Sequence, residues 1–368
     1  GNQIQAVDPS GKTVTRQFDA AGNLIATSAK KDVNTTVTTQ NTYDLRNRLK
    51  SVTTPNGKTT SYTYLPTGEL SKITDPLNNI TIFAYDNLGR VTQKTDPLGH
   101  VTTFAYDANN NLATKTDPNG NVAQFTYDAN NQLLSKILPD NTYSYAYDIR
   151  GNLVQAKNNV SEVDFAVDVA GRVSQVTSLG LGAAANLPAP VLNFTYDANN
   201  NRASMTSSIG VAVNYAYNSM DRLTGLTNQK AETFGFGYDI AGRLVSQSRP
   251  GSTTAIAFDS SSLVTNITHN GAGQIGKFDY TRDLLGNTTQ VRMPAGDNNY
   301  SYDLNSQLTS ANHPASQYGA QTNESFSYDA DGNRVADQSG SYTYDAKSQR
   351  LNQDYRYLYL YDNNGNLL

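Results

Sequence analysis

Cysteine is absent from the 368 residues, and so is tryptophan. Without thiols there is no disulfide framework, no thiolate metal site and no cysteine nucleophile, so stability has to come from packing and hydrogen bonding. Histidine is scarce: His100, His269 and His313 are the whole complement, too few and too scattered to suggest a His-based catalytic or zinc centre. All three fall in or near expected turns and loops, where surface exposure is the reading. Charge is sparse too. Asp and Glu number 32 against 28 Lys and Arg, and charged residues make up 16% of the chain, which excludes a basic nucleic-acid footprint and the charge-driven signature of disorder. The net charge of −4 implies solubility. No apolar run approaches the ~20 residues of a membrane-spanning helix. No segment has the length and 3.6-residue periodicity of a substantial helix either. The chain opens at Gly1 with no initiator Met and no signal peptide, so it is expected to be a fragment or mature segment and says nothing about export.

What is plentiful is tyrosine, 24 residues beside 11 Phe. Self-comparison explains the excess. Taking the aromatic of each Tyr-Asp-like pair as a phase marker gives seventeen positions from Phe18 to Tyr361, among them Tyr43, Tyr64, Tyr85, Tyr106, Tyr127, Tyr147, Tyr196, Tyr217, Tyr238, Phe258, Tyr280, Tyr302, Tyr328 and Tyr344, with Val167 filling one place. Their mean spacing is about 21 residues, the signature of a structural repeat.

Each unit reads as two strands and two turns. Asp96-Pro97-Leu98-Gly99 is tight-turn chemistry, because Pro presets φ and Gly tolerates positive φ. Val101–Tyr106 alternates and is rich in β-branched and aromatic residues, which predicts a strand. Asp107–Asn111 is a second turn, where Asp can bond the backbone ahead of it and Asn can take the left-handed conformation; Leu112–Thr116 returns as the second strand. The residue two before each marker is usually aromatic (Phe83, Phe104, Phe125), so two rings share a face and successive units should form an aromatic ladder. The positions between are small or polar, as Ala84, Ala105 and Thr126 are, which predicts a wet or lightly covered opposite face. The fold class expected is all-β: antiparallel hairpins in one continuous sheet over residues 1–368, a single region with no separate catalytic domain. Wider spacings mark loop insertions near residues 26–40, 178–192 and 309–324.

The unit Thr-Asp-Pro-x-Gly-x-x-Thr-x-Phe-x-Tyr-Asp-x-x-Gly-x-Leu, read at Thr95 to Leu112 and again at Thr116 to Leu133 with Asn in place of the second Gly, resembles the YD repeat of the rearrangement-hotspot (Rhs) family. The resemblance covers essentially the whole chain. Several copies depart from the pattern: Val167 replaces Tyr, Leu65 follows Tyr64, and Asn218 replaces Asp. The resemblance implies a hairpin sheet that coils into a hollow shell, as in bacterial polymorphic toxins, the cocoons of insecticidal toxin complexes and teneurins; in the bacterial members that shell encloses a C-terminal toxic domain. The chain stops at Leu368, short of the shell-closing core of complete members, so the autoproteolysis placed in that core is carried over to no residue here. At ~4.8 Å per strand, seventeen two-stranded units give roughly 160 Å of sheet, around one turn of a spiral.

Other motifs dissolve into the repeat. Gly271-Ala272-Gly273-Gln274-Ile275-Gly276 matches a dinucleotide-binding spacing, but Phe278 stands where a phosphate loop needs Ser or Thr, and a strand rather than a helix is expected to follow. The strings beginning at Asp107, Asp128, Asp197 and Asp329 resemble the start of a calcium loop, yet their twelfth positions hold Pro118, Pro139, Ser208 and Gly340 instead of the bidentate Glu. Catalytic, cofactor and metal residues are therefore expected to be none, and the chain is read as a non-enzyme. Its expected role is a structural segment of an Rhs/YD shell that encapsulates or scaffolds an associated polypeptide, with adjoining shell segments as further partners and a secreted or cell-surface location, the last inferred from the resemblance. The alternative is an adhesin or glycan-binding array, in which exposed tyrosines or inserted loops contact a cell-surface glycan or protein.

Overall fold

The computed structural model describes residues 2–7, 12–182, 188–316, 319–320 and 323–368. No α-helix occurs among them; they form a run of short strands, most of five or six residues, and along most of the run each pairs antiparallel with the next. Thirty-two of the strands belong to one sheet. The described residues form two compact units, one of Gly1–Thr102, Ile256–His269 and Gln274–Leu368, the other of Thr103–Ala255 and Asn270–Gly273.

One turn design serves both ends of the hairpins. At Asp86–Arg90 the Asp86 amide donates to the Arg90 carbonyl at 3.0 Å, and the Gly89 amide donates back to Asp86 O at 3.0 Å. The carboxylate finishes the turn: Asp86 Oδ1 accepts from the amides of Leu88 (2.9 Å) and Arg90 (3.0 Å), and Oδ2 accepts from Arg90 Nε at 2.7 Å. Gly89 sits at φ 76°, a conformation that costs an L side chain energy and glycine little. Where glycine is missing, Asn takes the same position, as Asn47 (φ 60°) and Asn110 (φ 69°) do. The Asp-Pro turn Asp96–His100 repeats the scheme, with Asp96 Oδ1 accepting from Leu98 N and His100 N at 2.9 and 2.8 Å. Each Tyr-Asp turn forces a bulge just ahead of it. Ala84 pairs with Gln93 but Tyr85 with Val91, so one residue of the returning strand is skipped.

The sheet is a single layer. Along Ile80–Tyr85 the pattern alternates strictly: Ile80, Ile82 and Ala84 are exposed, while Thr81, Phe83 and Tyr85 are half-buried. Val101–Tyr106 and Val122–Tyr127 repeat it. Ala26 and Ala311 are the only buried apolar side chains among the described residues. The wet face is tied by hydroxyl pairs across strands, such as Thr126 Oγ1 with Ser135 Oγ at 2.7 Å and Thr195 Oγ1 with Ser204 Oγ at 2.6 Å.

The marker ring does more than pack. In the first unit Tyr43, Tyr64 and Tyr85 donate their hydroxyls to the carbonyls of Leu24, Leu49 and Leu70 at 3.0, 2.8 and 2.8 Å. In the second, Tyr127, Tyr147 and Tyr238 donate to Leu112, Leu133 and Leu223 at 3.1, 3.1 and 2.9 Å. Each acceptor is the first residue of the preceding hairpin's returning strand. Each ring thus bolts its hairpin to the one before. Arginines of the preceding turn cover some of these rings, Arg48 over Tyr64 at 4.4 Å and Arg172 over Tyr196 at 4.5 Å. Replacing Tyr85 by Phe keeps the ring and removes the bolt. The expected cost is about 1 kcal/mol, read from the urea midpoint at unchanged m; no shift would mean that water satisfies Leu70 O equally well.

Two expectations need correction. The phase marker at Tyr280 is displaced by two residues: the bulge lies at Arg282, directly before the turn Asp283–Asn287, and Tyr280 is the ring two before it. Arg282 replaces the tyrosine functionally, because its Nη1 donates to Val264 O, the first residue of the preceding returning strand. The second correction concerns the widened spacings. Around 26–40 the extra residues lengthen the strands, which pair from Ala26↔Gln40 to Lys30↔Thr36 about the turn Lys31–Thr35. Likewise Ser178–Gly180 extend a ladder that reaches Ser161↔Gly180, whereas 183–187 lie outside the described residues. In 309–324 the strands Leu308–Asn312 and Glu324–Tyr328 pair, and Ala315–Ser316 pairs with Gly319–Ala320; residues 317–318 and 321–322 lie outside the described residues.

Candidate functional site

Because consecutive strands alternate in direction, Tyr-Asp turns lie at one end of the strands and Asp-Pro turns at the other. Within the first unit the two sets of turns meet. Lys31 Nζ donates to Tyr302 O and Asp303 O at 2.6 and 2.9 Å, and Lys31 O accepts from Leu284 N at 3.1 Å. Lys12 Nζ caps Leu285 O at 2.9 Å. Asn56 Nδ2 donates to Asp303 Oδ2 at 3.0 Å and its amide to Asn305 Oδ1 at 3.3 Å. A lysine ammonium with several donors is suited to capping carbonyls that a turn leaves pointing outward. The result is a seam in which early turns hold repeats about 250 to 270 residues later in the chain.

The seam encloses a cleft of about 770 Å³ whose lining includes Pro55, Lys58, Asp75, Pro76, Leu304 and Asp331. Its polar balance is unusual. Asp331 Oδ2 accepts from Gln349 Nε2 at 2.6 Å, but Oδ1 is buried with no partner. Burial raises the Asp331 carboxyl first, and the neighbouring carboxylates of Asp75 and Asp329 push it further, to about 6. Asp75 Oδ1 is occupied by the amides of Leu77 and Asn79 at 2.9 and 2.7 Å. Asn79 Nδ2 is itself buried and unpartnered. In the sibling turns the corresponding amide donates to the turn carboxylate, as Asn121 does to Asp117 and Asn152 to Asp148 at 3.0 and 2.9 Å. The turn at Asp75 therefore departs from its siblings where it faces the seam.

None of the sequence-level motifs converges on this cleft except the last calcium-like string, Asp329–Asn333, which is an Asp-capped turn. The Gly271–Gly276 string spans the join between strands Val264–Gly271 and Gly273–Arg282, and a strand follows it as expected. The histidines correct the expectation of surface exposure. His100 Nδ1 lies 3.1 Å from Asp96 Oδ2 with the side chain 24% exposed. His313 contacts the buried Asn298 through Nδ1 at 2.7 Å and Glu324 through Nε2 at 3.5 Å. His269 lies mid-strand, edge-on to Phe278 at 6.0 Å. The seam was missed from sequence because no local pattern encodes it.

The family description RHS Repeat matches residues 43–76, 64–101, 85–122 and 127–159. These hairpins are RHS repeats. The turns, bulges and tyrosine bolts of the matched stretches recur along the rest of the chain, so the repeat geometry extends beyond them. No curated protein matches the chain by sequence. Among solved structures, the crystal structure of TcdB2-TccC3-TEV is similar at TM-score 0.79 and 16% identity over 95% of this chain and 22% of that one. The Photorhabdus luminescens Tc holotoxin pore is similar at TM-score 0.78 and 17% identity over 95% and 22%, and TcdB2-TccC3 at TM-score 0.77 and 15% identity over 97% and 25%. The chain spans between a fifth and a quarter of the length of these structures, and at such identities the likeness establishes the fold.

Proposed function

We propose that this chain is a structural, non-catalytic wall segment of an RHS shell, and that the wall encloses or scaffolds an associated polypeptide, such as a C-terminal toxin. The observation that carries the reading is the single-layer sheet with its seam. A globular enzyme buries one face of each sheet against another layer. Here both faces stay accessible, and the strong tertiary contacts run edge to edge between turns, which is how a wall is extended. Likeness to segments of TcdB2-TccC3 and of the Tc holotoxin supports the shell role. In this reading the partners are the enclosed polypeptide and adjoining wall segments, and the protein acts after secretion or at the cell surface.

The test is protease protection of a polypeptide joined after Leu368, either the natural one or a protease-sensitive reporter, against the same polypeptide alone. Slower cleavage of the joined form is the expected result. Equal cleavage would remove enclosure and leave only a scaffold.

A further inference from the structure

The two faces of the second unit differ in charge. Its strands carry two acidic residues, Glu162 and Asp164. Both stand on the wet face, where Gln155 Nε2 donates to each at 3.0 Å and Lys157 Nζ pairs with Glu162 at 3.1 Å. The ring face carries basic residues alone. Lys115 is directly opposite Phe104, and Lys136 is directly opposite Phe125 on one side and Tyr143 on the other; residues opposite each other across a ladder share a face. Arg202 lies over the Phe194 ring at 4.6 Å. Along Phe104, Lys115, Phe125, Lys136 and Tyr143, rings and ammonium groups are therefore interleaved across neighbouring strands.

Arginines of the turns meet a turn carboxylate, as Arg172 does at Asp168 and Arg243 at Asp239. Among the described residues Lys115 and Lys136 meet none: Lys115 is exposed, and Lys136 Nζ lies 5.6 Å from the centre of the Tyr143 ring. An uncharged apolar partner laid on these rings would strip water from both ammonium groups and offer no charge in return. A partner with carboxylates between its apolar groups satisfies rings and cations together. The two lysines sit on strands two apart, roughly 10 Å at ~4.8 Å per strand, a distance that an extended chain covers in about three or four residues. We infer that the ring face over residues 104–143 is a docking surface for an acidic polypeptide segment in extended form. Its carboxylates lie at Lys115 and Lys136, and the apolar side chains between them rest on Phe104, Phe125 and Tyr143. Docking needs only this face, and it occurs whether or not the wall encloses anything.

Fluorescence anisotropy tests it, with the full chain titrated into a labelled peptide of repeated Glu-Phe-Ala. Binding that weakens as salt is raised is the expected result. The same peptide with Gln in place of Glu should bind about tenfold more weakly, a comparison that needs no variant protein. Lys115→Gln with Lys136→Gln should weaken binding of the Glu peptide by about tenfold, with an unchanged circular dichroism spectrum. Thr103→Glu with Gln124→Glu lowers the net charge by the same amount from exposed positions on the wet face of neighbouring strands, and should leave binding within about twofold of the parent. A parent that binds neither peptide, equal binding of the Gln peptide, a lysine variant that binds as the parent does, or equal loss in the two variants overturns the proposal. Equal or tighter binding of an oligothymidine of the same charge overturns it too, since the face would then hold any polyanion.

Discussion

Acidification from neutral pH towards about 2 is expected to unfold this chain steeply and as a whole, because one carboxylate chemistry is repeated through it. The Asp44 carboxyl is held down at about 2, chiefly by the Arg48 amide and then by the Arg48 side chain. Asp19, Asp86, Asp148 and Asp168 are lowered by the side chain of the fifth turn residue and then its amide, and Asp239 by the Arg243 amide first. A carboxyl whose folded value is lowered contributes stability that is present above its ordinary value of 3.8 and lost as pH falls through the folded one. For Asp44 the loss therefore falls between about 4 and about 2, and the other lowered turn carboxyls lose theirs on the same acid side of 3.8. Added salt should move the transition little, since amide and side-chain hydrogen bonds rather than distant charges hold the values down. Thermal unfolding followed across this range checks the expectation; a melting temperature that stays level down to about pH 2 would show that the turns do not depend on their carboxylates.

The opposite sign is expected at one place. Asp331 is raised to about 6, so the stability it contributes is complete below the ordinary carboxyl value and is lost as pH rises through about 6. With its proton on, Oδ1 can donate to the Asp75 carboxylate across the seam, which partners an otherwise orphaned buried atom. With the proton off, two carboxylates face each other, with Asp329 adjacent and Lys58 lining the same cleft. The seam should therefore be tighter at mildly acidic pH than at neutral pH. Asp331→Asn, which carries a permanent donor, should hold it tight at both. A chain without cysteine allows a clean spin-label pair at Thr59→Cys and Ser327→Cys, both on exposed strand positions beside the seam. Identical distance distributions at the two pH values in the parent would rule out the carboxyl pair as a clasp.

Much of this architecture is legible in the sequence because it is local. The 21-residue spacing, the alternation at Ile80–Tyr85 and the turn aspartates all act within a few residues of themselves, so pattern and structure coincide. The phase slip at Tyr280 arose because Arg282 stands where an aromatic is expected; the turn Asp283–Asn287 gave the correct phase, since the marker is whatever precedes the turn Asp. The purpose of the tyrosine hydroxyl was hidden, because Tyr and Phe look alike to a packing argument and only the hydroxyl's bond to a backbone carbonyl of the preceding hairpin tells them apart. The seam was wholly illegible. Leu304 and Ile149 occupy the same turn position, and only contacts between residues far apart in the chain separate a covered tip from a bare one.

Every tyrosine bolt described above reaches back towards the amino terminus, to a carbonyl some 14 to 23 residues earlier in most units. A chain leaving the ribosome therefore has each acceptor already made when its donor emerges. Hairpins can lock in the order of synthesis, and no hairpin has to wait for sequence still to come before it is fastened.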